Sequence, residues 1–349
     1  DLPLFRRTLV PTELPGQRSR IVEHALAPLL IASTGWTRWH DAPMFDVNTQ
    51  MPADGEFTLT LGSMGADILV SAMHPLGQGH MTLHGHLQDG KLTTVEAVFG
   101  ASHRGDEKLL EQRDFRQGLS LINRHNWLTP VAAEIAYAQA CEELMGLTPP
   151  PRAIALRELV IALQNVAGWL QLIAAVEQSS PLLIARESLV ELTERITGAR
   201  LHVSFIRLGG VASDVSEDGV ADILTATANI DLSTASVQHA DMARLVIDHL
   251  NQVRAVTETL KDIEGAIAVT LPKVVRVPVG QAYGECLATT GRVGVWVHSD
   301  GAKSPLRVGL RAPSLMTIDE WSRDAIGRSL DDALNELLRL PICYGEIER

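Results

Sequence analysis

The spacing of hydrophobic and polar residues divides the chain into four parts. Residues 1–55 are rich in proline and follow no clear period, which indicates an N-terminal arm or adapter. Residues 56–104 alternate between apolar and polar positions with frequent glycines, as short strands and turns do. Apolar positions recur at the helical period through residues 105–262, and residues 263–349 return to strands before a last amphipathic helix at 319–339. We therefore predict an α+β fold in which a central helical bundle is flanked by small antiparallel sheets.

One helical segment is apolar enough to suggest a membrane span. Residues 159–176 contain no charged side chain over eighteen positions, which is close to the minimum length for crossing a bilayer. However, Gln164, Asn165 and Gln171 would each cost free energy in lipid. A helix buried on all sides within a protein bundle explains the segment better. We therefore expect a soluble chain that reaches a membrane only through its partners.

Charge and cysteine content narrow the class of protein. The 42 acidic and 30 basic side chains give a formal charge of −12, which argues against a nucleic-acid surface. Cys141, Cys286 and Cys343 are widely spaced, so they form neither a disulfide framework nor a zinc or iron–sulfur motif. They fit a reducing compartment. The first sixteen residues have no apolar signal core, and we expect a cytoplasmic location.

Several segments resemble one known family, and they occur in that family's order. The longest covers residues 100–163 and includes the stretch NRHNWLTP; the others cover 185–215, 298–315 and 345–349. They resemble the large (D) subunit of NADH–quinone oxidoreductase (respiratory complex I). They are also similar to the related large subunits of membrane-bound group 4 nickel–iron hydrogenases. The resemblance implies that residues 56–349 form one hydrogenase large-subunit-like domain.

The resemblance to the hydrogenases also shows what this chain lacks. In those enzymes two CxxC pairs supply four thiolates, which are soft ligands suited to nickel and iron. The corresponding positions of this chain hold Asn126 and Thr129 in the first pair, and Cys343 and Glu346 in the second. Only one of the four thiolates remains. We therefore expect that the chain binds no metal centre of its own.

The resemblance to the quinone-reducing relatives implies an acceptor cavity that has been remodelled. There, a turn of the type HPxxHG and a tyrosine that follows an arginine contact the quinone and can supply protons. This chain keeps the first histidine and the arginine but replaces the proton donors by glutamine and tryptophan, whose side chains cannot supply a proton at neutral pH. The residues expected to line the cavity are His74, Gln78, Arg124, Asn126 and Trp127.

A purely structural interpretation of the same stretch stays open. Asn126 and Trp127 at the start of a helix could be no more than a cap and a core aromatic. The charged segment with His103, Arg104 and Asp106 also has two interpretations. It is either a contact with a partner subunit that carries an iron–sulfur cluster, which the resemblance favours, or a solvated turn.

A group of histidines could bind metal independently of the family. His74, His80, His84 and His86 lie within thirteen residues, and His84 and His86 share one face if their segment is a strand. Three imidazoles could hold zinc or copper. Because no carboxylate or thiolate partner is evident, we expect surface or packing histidines.

Two functions follow from the resemblance. In the first, the chain is an oxidoreductase subunit that forms a quinone or acceptor cavity with an iron–sulfur small subunit, whose cluster delivers electrons. In the second, it is a catalytically inactive structural subunit that couples a soluble redox arm to an ion-translocating membrane arm. Both imply further soluble-arm and membrane-arm partners and a peripheral position on the cytoplasmic face of the inner (cell) membrane. Neither involves nucleic acid or a cofactor bound by this chain itself.

Overall fold

The N-terminal sheet is the first element that the computed structural model describes. The residues that the structure describes are 45–47, 51–62, 66–70, 74–101, 103–177, 179–233 and 240–348. Most of the predicted arm, 1–55, therefore lies outside the described residues. The sheet contains β1 (Phe45–Val47), β2 (Gly55–Gly62), β3 (Ile68–Val70), β4 (His80–Gln88) and β5 (Lys91–Val98), in the order β1-β3-β2-β4-β5.

Pairing within this sheet differs from the prediction in one place. β2, β4 and β5 pair antiparallel, as the alternating pattern predicts, and β1 pairs antiparallel with β3. However, β2 and β3 pair parallel over Leu61–Ile68 and Gly62–Leu69, so the sheet is mixed rather than purely antiparallel. A pattern of alternation reports which face of a strand is buried, and it does not report the direction of its neighbour.

The C-terminal helices cover the inner face of the first sheet. α8 (Pro313–Asp324) and α9 (Leu330–Leu337) pack their apolar sides on β2 and β4, where Leu59 and Leu83 are buried. The predicted single helix at 319–339 is therefore two helices. Gly327 between them has φ +85, and Ser329 caps α9 by accepting a hydrogen bond from Asp332 N.

The helical bundle is built around the uncharged segment. Its helices are α1 (Asp106–Glu111), α2 (Phe115–Ile122), α3 (Pro130–Met145), α4 (Pro151–Glu177), α5 (Ser180–Thr197), α6 (Glu217–Ala228) and α7 (Ala240–Leu260). α5 and α7 both pack against α4. Of the residues that the structure describes, α4 is the one helix long and apolar enough to cross a membrane, yet 94% of its apolar window is buried within the protein. The buried position agrees with the interpretation of this segment as the core of a bundle.

A second sheet packs on the bundle through a close backbone contact. β8 (Gly280–Ala288), β9 (Gly291–Ser299) and β10 (Arg307–Arg311) pair antiparallel in the order β10-β9-β8. Their inner face lies against α3. A Cβ on Gly284 would lie 2.1 Å from the carbonyl oxygen of Ala136, so the approach of β8 to α3 requires glycine at this position.

A buried ion pair holds a short hairpin, β6 (Ile206–Arg207) and β7 (Gly210–Val211), against the bundle. Arg157 of α4 donates to both carboxylate oxygens of Glu142 on α3, at 2.9 and 2.6 Å. Glu142 also accepts from Gly209 N at 2.7 Å. Because both charged groups are buried, each depends on the other to offset its loss of hydration. The first sheet with its covering helices, the helical bundle and the second sheet together form the predicted α+β architecture.

Removing the cation of this pair tests its importance. Arg157→Met should lower the free energy of unfolding by about 3–5 kcal/mol, because the Glu142 carboxylate would remain buried without its partner. Hydrogen exchange at increasing urea concentration, measured on this chain within its purified complex, gives that free energy. The matched control adds Glu142→Gln, which removes the charge but still accepts from Gly209 N. It should recover at least half of the loss, and a single variant as stable as the wild type would contradict this account.

Candidate functional site

The stretch NRHNWLTP connects α2 to α3, and Asn126 orders the loop before the second helix. Asn126 Oδ1 accepts hydrogen bonds from Leu128 N and Thr129 N, both at 2.9 Å. These donors precede Pro130, the first residue of α3, and the N-cap residue is Thr129, which makes no side-chain cap bond. Asn126 therefore has a structural role in the turn before the helix, although it is not the predicted helix cap. Its amide nitrogen donates to other side chains.

The Asn126 amide and a buried carboxylate form the centre of a polar cluster. Glu346 has no exposed surface, and its Oε1 accepts from Asn126 Nδ2 at 2.5 Å and from Thr290 Oγ1 at 2.7 Å. Its Oε2 accepts from Ser314 N at 3.0 Å and from Ser314 Oγ at 2.5 Å. We call these four residues, Asn126, Thr290, Ser314 and Glu346, the Glu346 cluster. A carboxylate has about four acceptor sites, so four donors fill them.

The environment of Glu346 acts on its pKa in two opposite directions. Burial raises the pKa because the charged form loses hydration, whereas the hydrogen bonds from Ser314, Thr290 and Asn126 lower it. The balance leaves the pKa above its ordinary value. A carboxyl group in this setting holds the surrounding segments together, and it presents no free oxygen to a ligand.

The four positions that the resemblance aligns with thiolates are neighbours in the fold. Trp127 N donates to Cys343 Sγ at 3.4 Å, beside the bond between Asn126 and Glu346. Thr129 follows in the same turn, and its Oγ1 donates to Thr289 Oγ1 at 2.9 Å. Burial, with a further contribution from the nearby Glu346 carboxylate, raises the pKa of the Cys343 thiol to about 12. In this environment the thiol is protonated at neutral pH.

The other residues predicted for the acceptor cavity do not converge on this cluster. His74 is buried, and it caps a short 3-10 helix (Pro75–Gln78) by accepting from Leu76 N at 3.1 Å. Its Nε2 donates to Leu338 O at 2.5 Å, so both ring nitrogens have backbone partners. Burial lowers the pKa of His74 to about 4, which keeps the ring neutral. Gln78, at the end of this turn, is exposed.

Arg124 lies on the surface, and it does not line the interior. Its Nη1 donates to Ser120 O at 2.6 Å and to Asn123 Oδ1 at 3.1 Å. The charged segment before α1 packs beside it: Arg104 Nη2 donates to Asp106 Oδ2 at 2.7 Å and to Arg124 O at 3.2 Å. His103 lies against the C-terminal segment, with Nδ1 3.2 Å from Glu348 O. The two arginines and the histidine therefore share one exposed face.

Two residues of the site keep a buried polar atom without a partner. Among the described residues, neither Trp127 Nε1 nor Tyr344 Oη has a hydrogen-bond partner, and Tyr344 has no exposed surface. The Tyr344 ring packs on Gly79, where a Cβ would lie 2.4 Å from Cδ2, so the turn with His74 contacts the C-terminal segment. The sequence analysis missed Tyr344, although it directly follows Cys343. It also missed Thr290 and Ser314, for which we find no local signal.

The histidines of β4 do not gather into one group. The register places His84 opposite Thr58 and His86 opposite Thr94, so these two histidines share a face, as predicted. Each ring contacts a threonine hydroxyl, of Thr58 for His84 and of Thr93 for His86. In the described part of the chain, no group of three His, Cys, Asp or Glu side chains is arranged to hold a metal ion.

A pair of isosteric substitutions tests the Glu346 cluster. Asn126→Asp keeps the acceptor for Leu128 N and Thr129 N, but it replaces the donor that faces Glu346 by a second carboxylate oxygen. Two buried acids in contact should destabilise the chain by several kcal/mol, about 3–5 kcal/mol if one charge stays uncompensated. The double variant Asn126→Asp with Glu346→Gln reverses donor and acceptor and should restore most of the stability, with a coupling of about 1–3 kcal/mol. Hydrogen exchange measures the free energy of unfolding of Asn126→Asp, of Glu346→Gln and of the double variant. If the losses of the two single variants simply add up in the double variant, the two side chains are not in direct contact.

Comparisons with known proteins agree on one family. The family model described as respiratory-chain NADH dehydrogenase, 49 Kd subunit, matches residues 176–248 and 230–349. The D subunit of the NADH-quinone oxidoreductase of Carboxydothermus hydrogenoformans is 26% identical over 358 residues, which cover 80% of this chain and 98% of that protein. The D 1 subunit of the Streptomyces coelicolor enzyme is 34% identical over 169 residues, 45% of this chain and 44% of that protein.

A solved structure shares the fold. It belongs to the membrane-bound sulfane sulfur reductase, an archaeal respiratory membrane complex, and it matches with a TM-score of 0.69 and 22% sequence identity. The match covers 85% of this chain and 99% of the other. The chain is therefore a divergent member of the family of the 49 kDa subunit of respiratory-chain NADH dehydrogenase, to which the D subunits of NADH-quinone oxidoreductases belong.

Proposed function

We propose that this chain is a structural, non-catalytic subunit of a complex I-like membrane redox complex. The observation that carries the proposal is the buried Glu346 carboxylate, whose two oxygens accept four hydrogen bonds from Asn126, Thr290 and Ser314. Asn126 and Glu346 stand at two of the four positions where the resemblance puts the thiolate ligands of a metal centre. A carboxylate with all its acceptor sites filled has none left for a metal ion or a substrate.

In this role the chain joins parts of a larger assembly. We infer an iron–sulfur small subunit, other soluble-arm subunits and membrane-arm subunits as its partners, with the chain peripheral on the cytoplasmic face of the membrane. Two observations support this role. The apolar helix α4 is buried within the protein, and the exposed face with Arg104 and Arg124 is available for contact with other subunits. Any electron carrier, such as an iron–sulfur cluster, then belongs to a partner.

A second candidate function rests on a different observation. Trp127 Nε1 and Tyr344 Oη are buried and lack hydrogen-bond partners in the part of the chain that the structure describes. A buried donor without a partner normally costs free energy, about 1–3 kcal/mol, so such groups are often kept for a ligand. Tyr344 could donate a proton to a quinone oxygen, and Trp127 could stack on the ring. On this alternative the chain still lines an acceptor cavity.

Metal content of the intact complex tests the proposed absence of a metal centre. Elemental analysis should find no stoichiometric nickel, and iron only in the amount that the partners' clusters require. Cys343→Ala is the matched variant, because it removes the one remaining thiol of the four aligned positions. It should leave the metal content unchanged. One nickel per complex that disappears in the variant would overturn the proposal.

Conservative substitutions at the two unpartnered groups separate the two functions. In a structural subunit, Tyr344→Phe and Trp127→Phe should leave electron-transfer turnover per assembled complex within about twofold. Trp127→Ala should lower stability by about 3–5 kcal/mol without changing that turnover. If an acceptor binds here, Tyr344→Phe should lower turnover at least tenfold, about 1.4 kcal/mol, with unchanged assembly. The measurement is turnover divided by assembled complex on one preparation, and a tenfold loss would favour the acceptor cavity.

A further inference from the structure

A surface cleft lies apart from the Glu346 cluster and shares no residue with it. It has a volume of about 420 Å³ and opens between α2, the loop before β6 and residues 268–271. That volume falls in the range of about 300–1,000 Å³ that is usual for binding pockets. Its polar lining residues are Arg116, Ser120, Ser204 and Arg207, and its apolar ones are Leu119, Leu208, Ala268, Val269 and Leu271.

The two arginines of the cleft are held in place by carbonyl oxygens. Arg116 donates to Lys273 O at 3.1 Å and also to Pro272 O. Arg207 Nη1 donates to Ser204 O and to Ile206 O, each at 2.9 Å. Carbonyl groups orient a guanidinium without neutralising it, and each guanidinium has five N–H donors. Both side chains therefore keep their charge and several free donors.

Neither arginine has a carboxylate within ion-pair distance among the described residues. Several other exposed arginines form ion pairs, such as Arg195 with Asp222, Arg292 with Glu285 and Arg323 with Asp319. Others, such as Arg244, Arg276 and Arg311, have no ion pair within the described ranges. The cleft differs because two such arginines line one cavity. Arg124, whose guanidinium donates to the carbonyl oxygen of the cleft residue Ser120, also lacks such a partner in this part of the structure. A chain with a net charge of −12 thus leaves the two guanidiniums of the cleft, and Arg124 beside it, without an ion-pair partner from the described ranges. Such a cleft concentrates positive potential and attracts anions.

Asp114 and Glu134 lie near these arginines, and backbone N–H groups engage both carboxyl groups. Asp114 Oδ1 accepts from Arg116 N at 3.0 Å and from Gln117 N at 2.9 Å. Glu134 is buried, and its Oε2 accepts from Phe205 N at 3.1 Å and from Ile206 N at 2.9 Å. Burial raises its pKa to about 7, so it only partly offsets the charge of Arg207. Ser204, directly before the residues that bond to Glu134, has φ +36, a conformation that L residues rarely adopt. The wall of the cleft is therefore shaped before any ligand arrives.

We propose that this cleft binds an acidic, partly apolar peptide segment of another subunit of the complex. An Asp or Glu side chain would pair with Arg116 and Arg207, and a neighbouring aliphatic or aromatic side chain would cover the half-buried Val269 and Leu271. Guanidinium groups suit this partner because they bind carboxylates through two parallel hydrogen bonds. The N-terminal residues 1–44 of this chain are less suited than an acidic segment, because their five arginines outnumber their four acidic residues. The inference is independent of whether the Glu346 cluster is catalytic.

Photo-crosslinking in the assembled complex identifies the occupant. A benzoylphenylalanine side chain at the exposed Ser120 position lies at the cleft and removes no hydrogen bond made by the arginines. Peptide mapping by mass spectrometry should place its adducts on a segment of a different subunit that contains Asp or Glu. The same probe at Val269, on the opposite wall, should give adducts on that same segment.

Two substitutions at Ala268 show whether charge controls the occupancy. Ala268→Glu puts a carboxylate of this chain into the cleft, where it should pair with the arginines and displace the segment. The crosslink yield from Ser120 should fall at least fivefold. Ala268→Gln has the same size without the charge and should keep the yield within twofold. Replacing Arg116 and Arg207 together by Gln should lower the yield as Ala268→Glu does.

Several results would overturn the proposal. Adducts on lipid, on this chain, on a second copy of it, or on a segment without acidic residues would each identify a different occupant. The absence of any adduct from both probe positions would show an empty cleft. Equal losses with Ala268→Glu and Ala268→Gln would show that bulk, and not charge, decides the contact.

Discussion

A single buried carboxylate joins the two cores of this protein. One core consists of the helical bundle and the second sheet, and the other consists of the first sheet and the C-terminal helices. Glu346 bonds to Asn126 at the start of α3, to Thr290 between β8 and β9, and to Ser314 in α8. A buried charge without such partners would cost several kcal/mol, so these segments cannot separate independently. The relative position of both cores therefore depends on this cluster.

The same cluster connects the fold to the proposed function. By resemblance, thiolate–metal bonds link the start of the corresponding helix to the C-terminal segment in hydrogenases. Here hydrogen bonds link the same two segments, because Asn126 offers a donor where Glu346 offers an acceptor. Metal ligation and hydrogen bonding are alternative ways to cross-link a chain, but only the first supplies redox chemistry. According to the proposed function, the site in this chain still cross-links the two segments, but it no longer binds a metal or carries out redox chemistry.

Charge is distributed in a way that suits one member of a larger assembly. In the interior, Glu142 and Arg157 neutralise each other, and several pairs of charges on the described surface do the same. The face that includes Arg116, Arg124 and Arg207 differs, because its guanidiniums bond to carbonyl oxygens. Positive groups that keep their charge favour an acidic neighbour, because complementary potentials steer the encounter and fix its register. The surface thus specifies partners while the interior specifies the fold.

The sequence by itself determined the local elements and the family. Alternation located β2, β4 and β5, an uncharged run located the core helix α4, and the aligned blocks identified the family before any coordinates. Only the tertiary structure decided that β2 and β3 run parallel, that His74 bonds to the backbone through both ring nitrogens, and that Arg124 faces solvent. The physical reason is distance along the chain. Periodicity reports which face of an element is buried, whereas the bond between Asn126 and Glu346 spans 220 residues and exists only once both cores have packed.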